Sequence, residues 1–336
     1  MSDTKIKQKK DTDYLAISAR IHAMETRLLT RERMDRMIDA KELREAARVL
    51  TECGYGELSE LSSAGLEEAL GAAQAALFRD LSGTVDSALL DVFRCKYDYH
   101  NAKVLVKAEA LETRADGLLA GGGRYESAVL AESFRRDSLS GCSDTFAAAV
   151  AQARKALAAA GDPQQADFIL DRACFTEQAA LAERSGSTFL RGYVAVLADA
   201  ANLRAAVRAA RLNKGAEFLS QVLVPGGNVR PDAIAAARGS ALEQLFAGGP
   251  LAAAAAEGAS KCAPGSGHLT EFERLCDDAV MDYVAAGKRV PFGEEPVLGY
   301  LYAREAEQTA IRIIMTGRMA GLPGAVIRGR LRRSYC

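Results

Sequence analysis

The stretch that decides the fold of this chain is Tyr97-Asp98-Tyr99-His100-Asn101-Ala102-Lys103-Val104-Leu105, because a similar phrase returns twice further along the sequence. The second copy is Asp199-Ala200-Ala201-Asn202-Leu203-Arg204-Ala205-Ala206-Val207-Arg208, and the third is Glu305-Ala306-Glu307-Gln308-Thr309-Ala310-Ile311-Arg312-Ile313-Ile314. In each copy an amide side chain precedes a cation by two or four positions, and an apolar stripe continues beyond it. Three copies of one supersecondary unit indicate a modular body rather than one catalytic cleft.

The spacing around the phrase supports the repeat. Asp171 precedes Asn202 by 31 positions, and Asp277 precedes Gln308 by the same 31 positions. A glycine turn follows the first two copies, at residues 121–123 and 226–227. We interpret the repeated amides Asn101, Asn202 and Gln308 as structural groups that bond to backbone where helices cross, because an unpaired buried amide costs about 1–3 kcal/mol.

Helix signals dominate the sequence, and strand signals are nearly absent. One apolar stripe begins at Tyr14, Ile17 and Ile21, and a longer one runs from Phe189 to Ala210. The alanine-rich segment 145–160 also favours helix by intrinsic propensity. The sequence therefore predicts an all-α protein.

Residues that start and stop helices are spaced as this interpretation requires. Asp162-Pro163 offers an N-cap carboxylate followed by a proline at the first helical position. Four glycines are predicted to supply the left-handed residue that ends a helix: Gly54, Gly161, Gly186 and Gly317.

Glycine-rich and polar stretches predict where the repeats divide. We expect three similar helical domains: residues 1–125, with the N- and C-terminal helices packing nearby, then residues 126–248, and finally residues 249–336. Each is interpreted as an antiparallel helix pair followed by a glycine turn and smaller helices.

Composition excludes several classes of protein. Hydrophobic residues make up 49% of the 336 positions, which is enough for sizeable cores. The formal net charge of -1 gives the whole molecule no general attraction to nucleic acid or a lipid surface, and the absence of Trp argues against a stacking surface for single strands. Two local basic regions stand out, the lysine-rich run at residues 5–10 and the arginine-rich segment 304–336. They are interpreted either as a solvated tail and a solvated helix face or as partner-binding surfaces.

The cysteines and the hydropathy pattern predict a soluble, intracellular location. The seven cysteines are widely spaced and never arranged as Cys-x-x-Cys, as expected for reduced thiols rather than disulfides or a zinc site. No apolar run approaches the roughly 20 residues of a membrane-spanning helix, and the lysine-rich start lacks the apolar core of a secretion signal.

No catalytic, cofactor-binding or metal-binding residue is predicted. The three histidines, His22, His100 and His268, have no metal-ligand spacing, and a structural hydrogen bond is the favoured role for His100 beside Asn101. The glycines at 121–123 follow no hydrophobic strand and precede no Gly-Lys-Ser/Thr, so we interpret them as a turn rather than a phosphate cradle. Adjacent carboxylates such as Asp277-Asp278 diverge on a helix and cannot share a substrate.

At this level of detail the sequence resembles the C subunit of archaeal-type and bacterial V-type rotary ATPases, which is related to the d subunit of eukaryotic V-ATPases. The resemblance covers essentially the whole chain. It rests on the order of several modest motifs: Cys53-Gly54-Tyr55-Gly56, Tyr97 to Lys103, Asp199 to Arg208, Val224-Pro225-Gly226-Gly227, and the segment from Gly317-Arg318 through Gly321-Leu322-Pro323-Gly324 to Arg332. Gln308 in place of Asn and Ala102 in place of a leucine-like residue are minor departures.

This resemblance implies a fold and a function. The family's three helical domains form a funnel about a pseudo-threefold axis, with a central cavity that receives the foot of the central stalk. The funnel lies on the cytoplasmic face of the membrane rotor ring. The chain would then be a non-catalytic coupling subunit, with the D- and F-type central-stalk subunits and the rotor ring as partners, no cofactor, no nucleic acid and no membrane span of its own. Proton and sodium transport, and ATP synthesis and hydrolysis, remain open alternatives.

The arginine-rich end provides a hypothesis about partner contacts. We expect it to face acidic groups or helix C-termini on the stalk or ring, through Arg318, Arg328, Arg330, Arg332 and Arg333.

Two other functions compete with the rotary one. A helical-repeat adaptor that scaffolds another cytoplasmic complex would have short regular repeats, whereas repeats near a hundred residues favour the funnel. An all-helical enzyme would need a titratable pocket that these residues do not supply.

Overall fold

A computed structural model describes residues 11–115 and 117–336. The lysine-rich run at residues 5–10 lies outside the described residues. Within the described part every regular element is a helix and no strand is present, so the all-α prediction is confirmed. The pseudo-threefold funnel remains a prediction.

The chain divides into two compact units. One contains the residues up to Val85 together with Phe246–Lys261 and Gly265–Cys336, and the other contains Asp86–Leu245 with Cys262–Pro264. The predicted boundaries after residues 125 and 248 concern sequence repeats, and they stay a prediction.

The first unit is built from helices of both chain ends. Its helices are α1 (Leu15–Glu25), α2 (Arg31–Asp39), α3 (Leu43–Glu52), α4 (Ser63–Leu81), α13 (Ala252–Ser260), α14 (Thr270–Ala285), α15 (Glu294–Met319) and α16 (Gly324–Arg330). Short 3-10 turns at Asp11–Tyr14 and Ala286–Arg289 precede α1 and α15. The core joins Met37, Leu50 and Leu70 from the early helices to Ile311 and Ile314 of α15. The apolar stripe of the third repeated phrase is therefore covered by the N-terminal part of the chain.

The second unit contains the first two copies of the repeated phrase. Its helices are α5 (Ser87–Ala110), α6 (Ser127–Arg135), α7 (Asp144–Ala160), α8 (Pro163–Ser185), α9 (Thr188–Arg211), α10 (Ala216–Val222), α11 (Pro231–Ala236) and α12 (Ser240–Phe246), of which the last residue belongs to the first unit. The rings of Phe93 on α5 and Tyr193 on α9 stack with centroids 5.2 Å apart.

Helices α5 and α8 run antiparallel. Lys107 pairs with Asp167 at 2.7 Å and Lys103 pairs with Asp171 at 2.5 Å, so residue numbers rise along one helix as they fall along the other. These pairs place the cation of the repeated phrase against the neighbouring helix.

The helix ends follow the sequence signals with one correction. Gly161 and Gly186 are left-handed C-caps with φ of 65° and 71°, and the Asp162 carboxylate caps α8 ahead of Pro163, as predicted. Gly54, at φ 81°, lies two residues after α3, also as predicted. The prediction for Gly317 is wrong, because α15 continues to Met319. A Cβ at position 317 would lie 2.9 Å from Cγ1 of Ile327, so this glycine serves the close approach of α16.

The three helices that carry the repeated phrase end in one geometry. Their C-caps are Leu111, Leu212 and Ala320, and the next residue is left-handed in each, at Glu112 (φ 50°), Asn213 (φ 52°) and Gly321 (φ 68°). The following N–H bonds back across the turn in each, from Thr113 to Ala108 O (2.9 Å), Lys214 to Ala209 O (2.8 Å) and Leu322 to Gly317 O (2.9 Å). This shared Schellman motif gives a common reference point for comparing the copies.

None of the helices in the described residues has the length and apolar character that a bilayer crossing requires.

Candidate functional site

A carboxylate and an amide on α5 hold the loop that follows this helix. Asn101 donates from Nδ2 to Ala120 O at 2.9 Å and accepts from Ala120 N at 2.7 Å. Asp98 accepts from the backbone N–H of Tyr125 at 3.2 Å and from Nε of Arg124 at 2.6 Å. We call this arrangement the first clamp: Asp98, Asn101 and the loop 120–125.

The same two side-chain types on α9 hold the corresponding loop. Asn202 donates from Nδ2 to Val224 O at 2.9 Å and accepts from Val224 N at 2.8 Å. Asp199 accepts from the backbone N–H groups of Asn228 at 3.0 Å and Val229 at 3.1 Å. This is the second clamp: Asp199, Asn202 and the loop 224–229.

Each clamp requires a glycine where the loop meets the carboxylate. A Cβ added at Gly123 would strike Oδ1 of Asp98, and one added at Gly227 would strike Oδ1 of Asp199. The preceding glycines, Gly122 and Gly226, have φ of 89° and 92°, a conformation that favours glycine. The repeated glycine turn is thus matched to the repeated carboxylate.

The third phrase holds a different segment. Counted from the shared C-cap, Glu307 occupies the position of Asp98 and Asp199, since all three precede the cap by thirteen residues (98 to 111, 199 to 212 and 307 to 320). The Glu307 carboxylate accepts from the backbone N–H of Leu29, from the Tyr55 hydroxyl at 2.6 Å and from Nη1 of Arg304 at 2.5 Å. This Glu307 cluster fastens the segment ahead of α2, as the clamps fasten the segments ahead of α6 and α11.

Gln308 has other partners. Its Nε2 donates to Leu70 O at 3.3 Å and to Oε1 of Gln74 at 3.0 Å, both on α4. Because α15 has 26 residues and α9 has 24, Gln308 matches Asn202 when positions are counted from the helix start, whereas Ala310 matches it when they are counted from the end. The amide of the third copy therefore joins two helices rather than holding a loop.

Burial dominates the electrostatics of the three carboxylates. It raises the pKa of Asp98 to about 6, against the opposing effect of the Arg124 guanidinium. Burial also raises the pKa of Asp199 and of Glu307. Arg124 links the first clamp to α8 through Glu177 Oε1 at 2.7 Å, and the Tyr99 hydroxyl donates to the other oxygen of Glu177 at 2.8 Å.

The three carboxylates serve as hydrogen-bond acceptors within the fold. Backbone N–H groups bond to all three, and a guanidinium also bonds to Asp98 and Glu307, so each carboxylate fixes the position of the segment it holds. Across residues 11–115 and 117–336 no group of three His, Cys, Asp or Glu side chains is placed to hold a metal ion.

The five predicted partner-binding arginines have unequal surroundings. Arg318 donates to the carbonyl oxygens of Ile38 and Ala40, and Arg328 pairs with Asp35 and Asp39. Arg332 pairs with Asp277 at 2.7 Å and Arg333 pairs with Asp282 at 2.7 Å. Arg330 is exposed, and its side chain has no hydrogen bond or ion pair among the described residues.

Sequence reasoning did not single out the carboxylates of the clamps. The signal was present, because Asp98-x-x-Asn101 and Asp199-x-x-Asn202 share one spacing inside the quoted phrases. Glu307 offered no such signal, since its partners Leu29 and Tyr55 lie more than 250 positions away in the sequence.

Comparison with known proteins gives two matches. The family model described as ATP synthase (C/AC39) subunit matches residues 17–330. The C subunit of the V-type sodium ATPase of Enterococcus hirae is 22% identical over 334 residues, which cover 96% of this chain and 99% of that protein.

Proposed function

Because this chain belongs to the ATP synthase (C/AC39) subunit family, we propose that it is the non-catalytic rotor subunit that couples the central stalk of a V/A-type ATPase to its membrane rotor ring. In this role it carries torque between ATP-driven rotation and the transport of protons or sodium ions. The observation that supports the proposal most is the length of the family match, which spans residues 17–330 and so includes both clamps and the Glu307 cluster.

A coupling subunit needs stiffness, because torque passes through it only if it resists twisting. Long helices packed at interior density resist deformation, since their side chains have no free volume to move into. The clamps add polar cross-links: Asn101 and Asn202 each tie a loop by two bonds between 2.7 and 2.9 Å. A buried amide that loses such bonds costs about 1–3 kcal/mol, so these loops stay fastened under load.

The partners follow from this role. We propose contact with the D- and F-type central-stalk subunits and with the rotor ring, on the cytoplasmic face of the membrane. Among the arginines predicted to make such contacts, Arg330 is the strongest candidate, since the other four already bond within the chain. The other four arginines could bind an acidic surface only by giving up, or dividing, the hydrogen bonds that they make within the chain. They are Arg318, Arg328, Arg332 and Arg333.

Co-purification tests the proposal directly. The tagged chain is expressed in cells that contain the whole complex, and membranes are solubilised in mild detergent before capture. We expect central-stalk and ring subunits to be recovered with the chain. Recovery of an unrelated complex in their place would support the adaptor function and refute the rotary one.

Arg330→Glu with Arg330→Lys as its matched control tests the surface. The charge reversal should reduce recovery of the partners, with a larger effect at low than at high salt, while the lysine variant should behave as the parent chain. Equal recovery with all three proteins would remove Arg330 from the interface.

A further inference from the structure

His22 joins the end of α1 to the turn that precedes α15. Its Nδ1 lies 2.9 Å from Oε2 of Glu25, and its Nε2 lies 3.3 Å from the carbonyl oxygen of Pro291. The side chain is 43% exposed, so the ring can exchange protons with solvent.

Both partners of the ring are hydrogen-bond acceptors. A neutral imidazole carries one N–H and can serve only one of them, whereas the imidazolium carries two and serves both. Only the protonated form can therefore donate a hydrogen bond to both acceptors.

The electrostatic surroundings favour the same form. His22 lies in the last turn of α1, where the helix dipole stabilises a cation. The hydrogen bond to the Glu25 carboxylate raises the pKa of His22 above its ordinary value, and the Pro291 carbonyl acts in the same direction against partial burial.

Other charged residues of α1, the 3-10 turn and the start of α15 bind other partners or lie in neighbouring turns. Arg20 on α1 pairs with Asp80, and the Lys288 ammonium bonds to the carbonyl oxygen of Tyr335 and lies 4.1 Å from the centroid of its ring. The other charged residues on or next to these elements are Arg27, which follows α1, Arg289 of the 3-10 turn, and Glu294 and Glu295 at the start of α15. The thiol of Cys336 lies 4.0 Å from the backbone carbonyl oxygen of Glu25.

A second tether on α1 is insensitive to pH. The Ser18 hydroxyl donates to Gly293 O at 3.4 Å and accepts from Gly293 N at 3.2 Å. The turn is therefore held at Gly293 by a group that does not titrate and at Pro291 by one that does.

We propose that His22 is a proton-dependent tether between α1 and the Pro291–Gly293 turn. The imidazolium donates to both Glu25 and Pro291 O, whereas the neutral ring keeps its single N–H on the closer, charged Glu25 carboxylate and loses the bond to the turn. The contribution of this tether is fully present below the ordinary histidine pKa of 6.5 and is lost as pH rises through the higher pKa of the folded state. The turn leads directly into α15, the helix that carries Glu307. The firmness with which the start of α15 is anchored consequently falls as pH rises, a regulation that the coupling function by itself does not require.

The first test measures the proton itself. In an NMR titration of the full chain labelled with ¹⁵N-histidine, the His22 imidazole is identified as the resonance missing from His22→Gln. We expect its pKa to lie above 6.5 and to fall in Glu25→Gln. A pKa at or below 6.5 would overturn the proposal.

The second test measures the tether. Hydrogen exchange of a peptide spanning the Pro291–Gly293 turn is compared between the parent chain and His22→Gln at each pH, so that the chemical exchange rate cancels. We expect about fivefold more protection in the parent at pH 6 and a ratio near one at pH 8.5, as the loss of one net hydrogen bond predicts. His100→Gln, which changes a histidine of the other unit, should give the same protection of this peptide as the parent chain at both pH values. A ratio that is the same at both pH values would contradict the tether even if His22 proved to be charged.

Discussion

The hydroxyl of Tyr55, which follows α3, donates to Glu307 on α15 at 2.6 Å, although the two residues are 252 positions apart in the sequence. The same carboxylate binds the Leu29 N–H and the Arg304 guanidinium, so one buried group joins the beginning of the described chain to its last long helix. The first two copies of the repeat fasten a loop that follows their own helix. The third copy fastens one from the other end of the chain.

Replacing Glu307 by Gln should be among the most damaging single changes. The amide lacks the negative charge that Arg304 needs, and a buried charge left without its partner costs about 3–5 kcal/mol. Urea unfolding of the full chain measures the loss. As a matched control, Glu67→Gln breaks the exposed pair with Arg312, whose side chains are 41% and 55% exposed, and should cost less than about 1 kcal/mol. Equal losses of unfolding free energy in the two variants would show that the buried Glu307 cluster contributes no more to stability than an exposed ion pair.

Asn202→Asp tests the amide of the second clamp. A carboxylate cannot donate to Val224 O, so the substitution removes one bond and buries a charge, at a cost of about 1–3 kcal/mol in the free energy of unfolding. Asn213→Asp makes the same chemical change at an exposed left-handed cap and should fall within about 0.5 kcal/mol of the parent. The structural role of Asn202 is refuted if both variants unfold at the same urea concentration.

Gly227→Ala tests the fit between loop and carboxylate. The added methyl would meet Oδ1 of Asp199, so either the loop or the side chain must move, and overpacking of this kind costs about 1–3 kcal/mol. Gly123→Ala should behave alike at Asp98. Gly141→Ala is the control, because a Cβ there has no heavy atom within 4 Å. The prediction fails if all three variants have the same melting temperature.

The pH dependence of the first clamp follows from the burial of Asp98. With a folded pKa of about 6 against an ordinary 3.8, the folded state binds the proton more tightly than the unfolded state does. The contribution of Asp98 to stability is therefore complete below pH 3.8 and is lost as pH rises through about 6. The free energy of unfolding of the parent should therefore fall relative to that of Asp98→Asn as pH rises from 4 to 7. A difference independent of pH over this interval would contradict it.

Local patterns in the sequence were sufficient to predict many of the helices and several of their ends. The stripe from Phe189 to Ala210 predicts α9 because helical spacing is a property of neighbouring residues, and the structure has α9 at Thr188–Arg211. Gly161 and Gly186 predict helix ends for the same local reason. The resemblance to the C subunit of rotary ATPases, drawn from motif order, is confirmed by the family match.

Other features depend on contacts between distant parts of the chain. The role of Gly317 could not be predicted, because the neighbour that demands a glycine is Ile327 on α16 rather than a following turn. The two extra residues of α15 make the register of the third repeat depend on the end from which it is counted. The sequence showed that the C-terminal segment is rich in arginine, but it did not show which acidic residues the arginines bind. Asp277 and Asp282 lie about 50 positions before Arg332 and Arg333, with which they pair.

The measurement that tests the coupling role most directly is ion transport by a rotary ATPase complex depleted of this chain and then supplied with it again. In sealed vesicles we expect the depleted complex to hydrolyse ATP without ion uptake, and the added chain to restore uptake, while the chain alone hydrolyses no ATP. ATP-driven ion uptake that continues undiminished without the chain, or turnover of ATP by the chain on its own, would contradict the account.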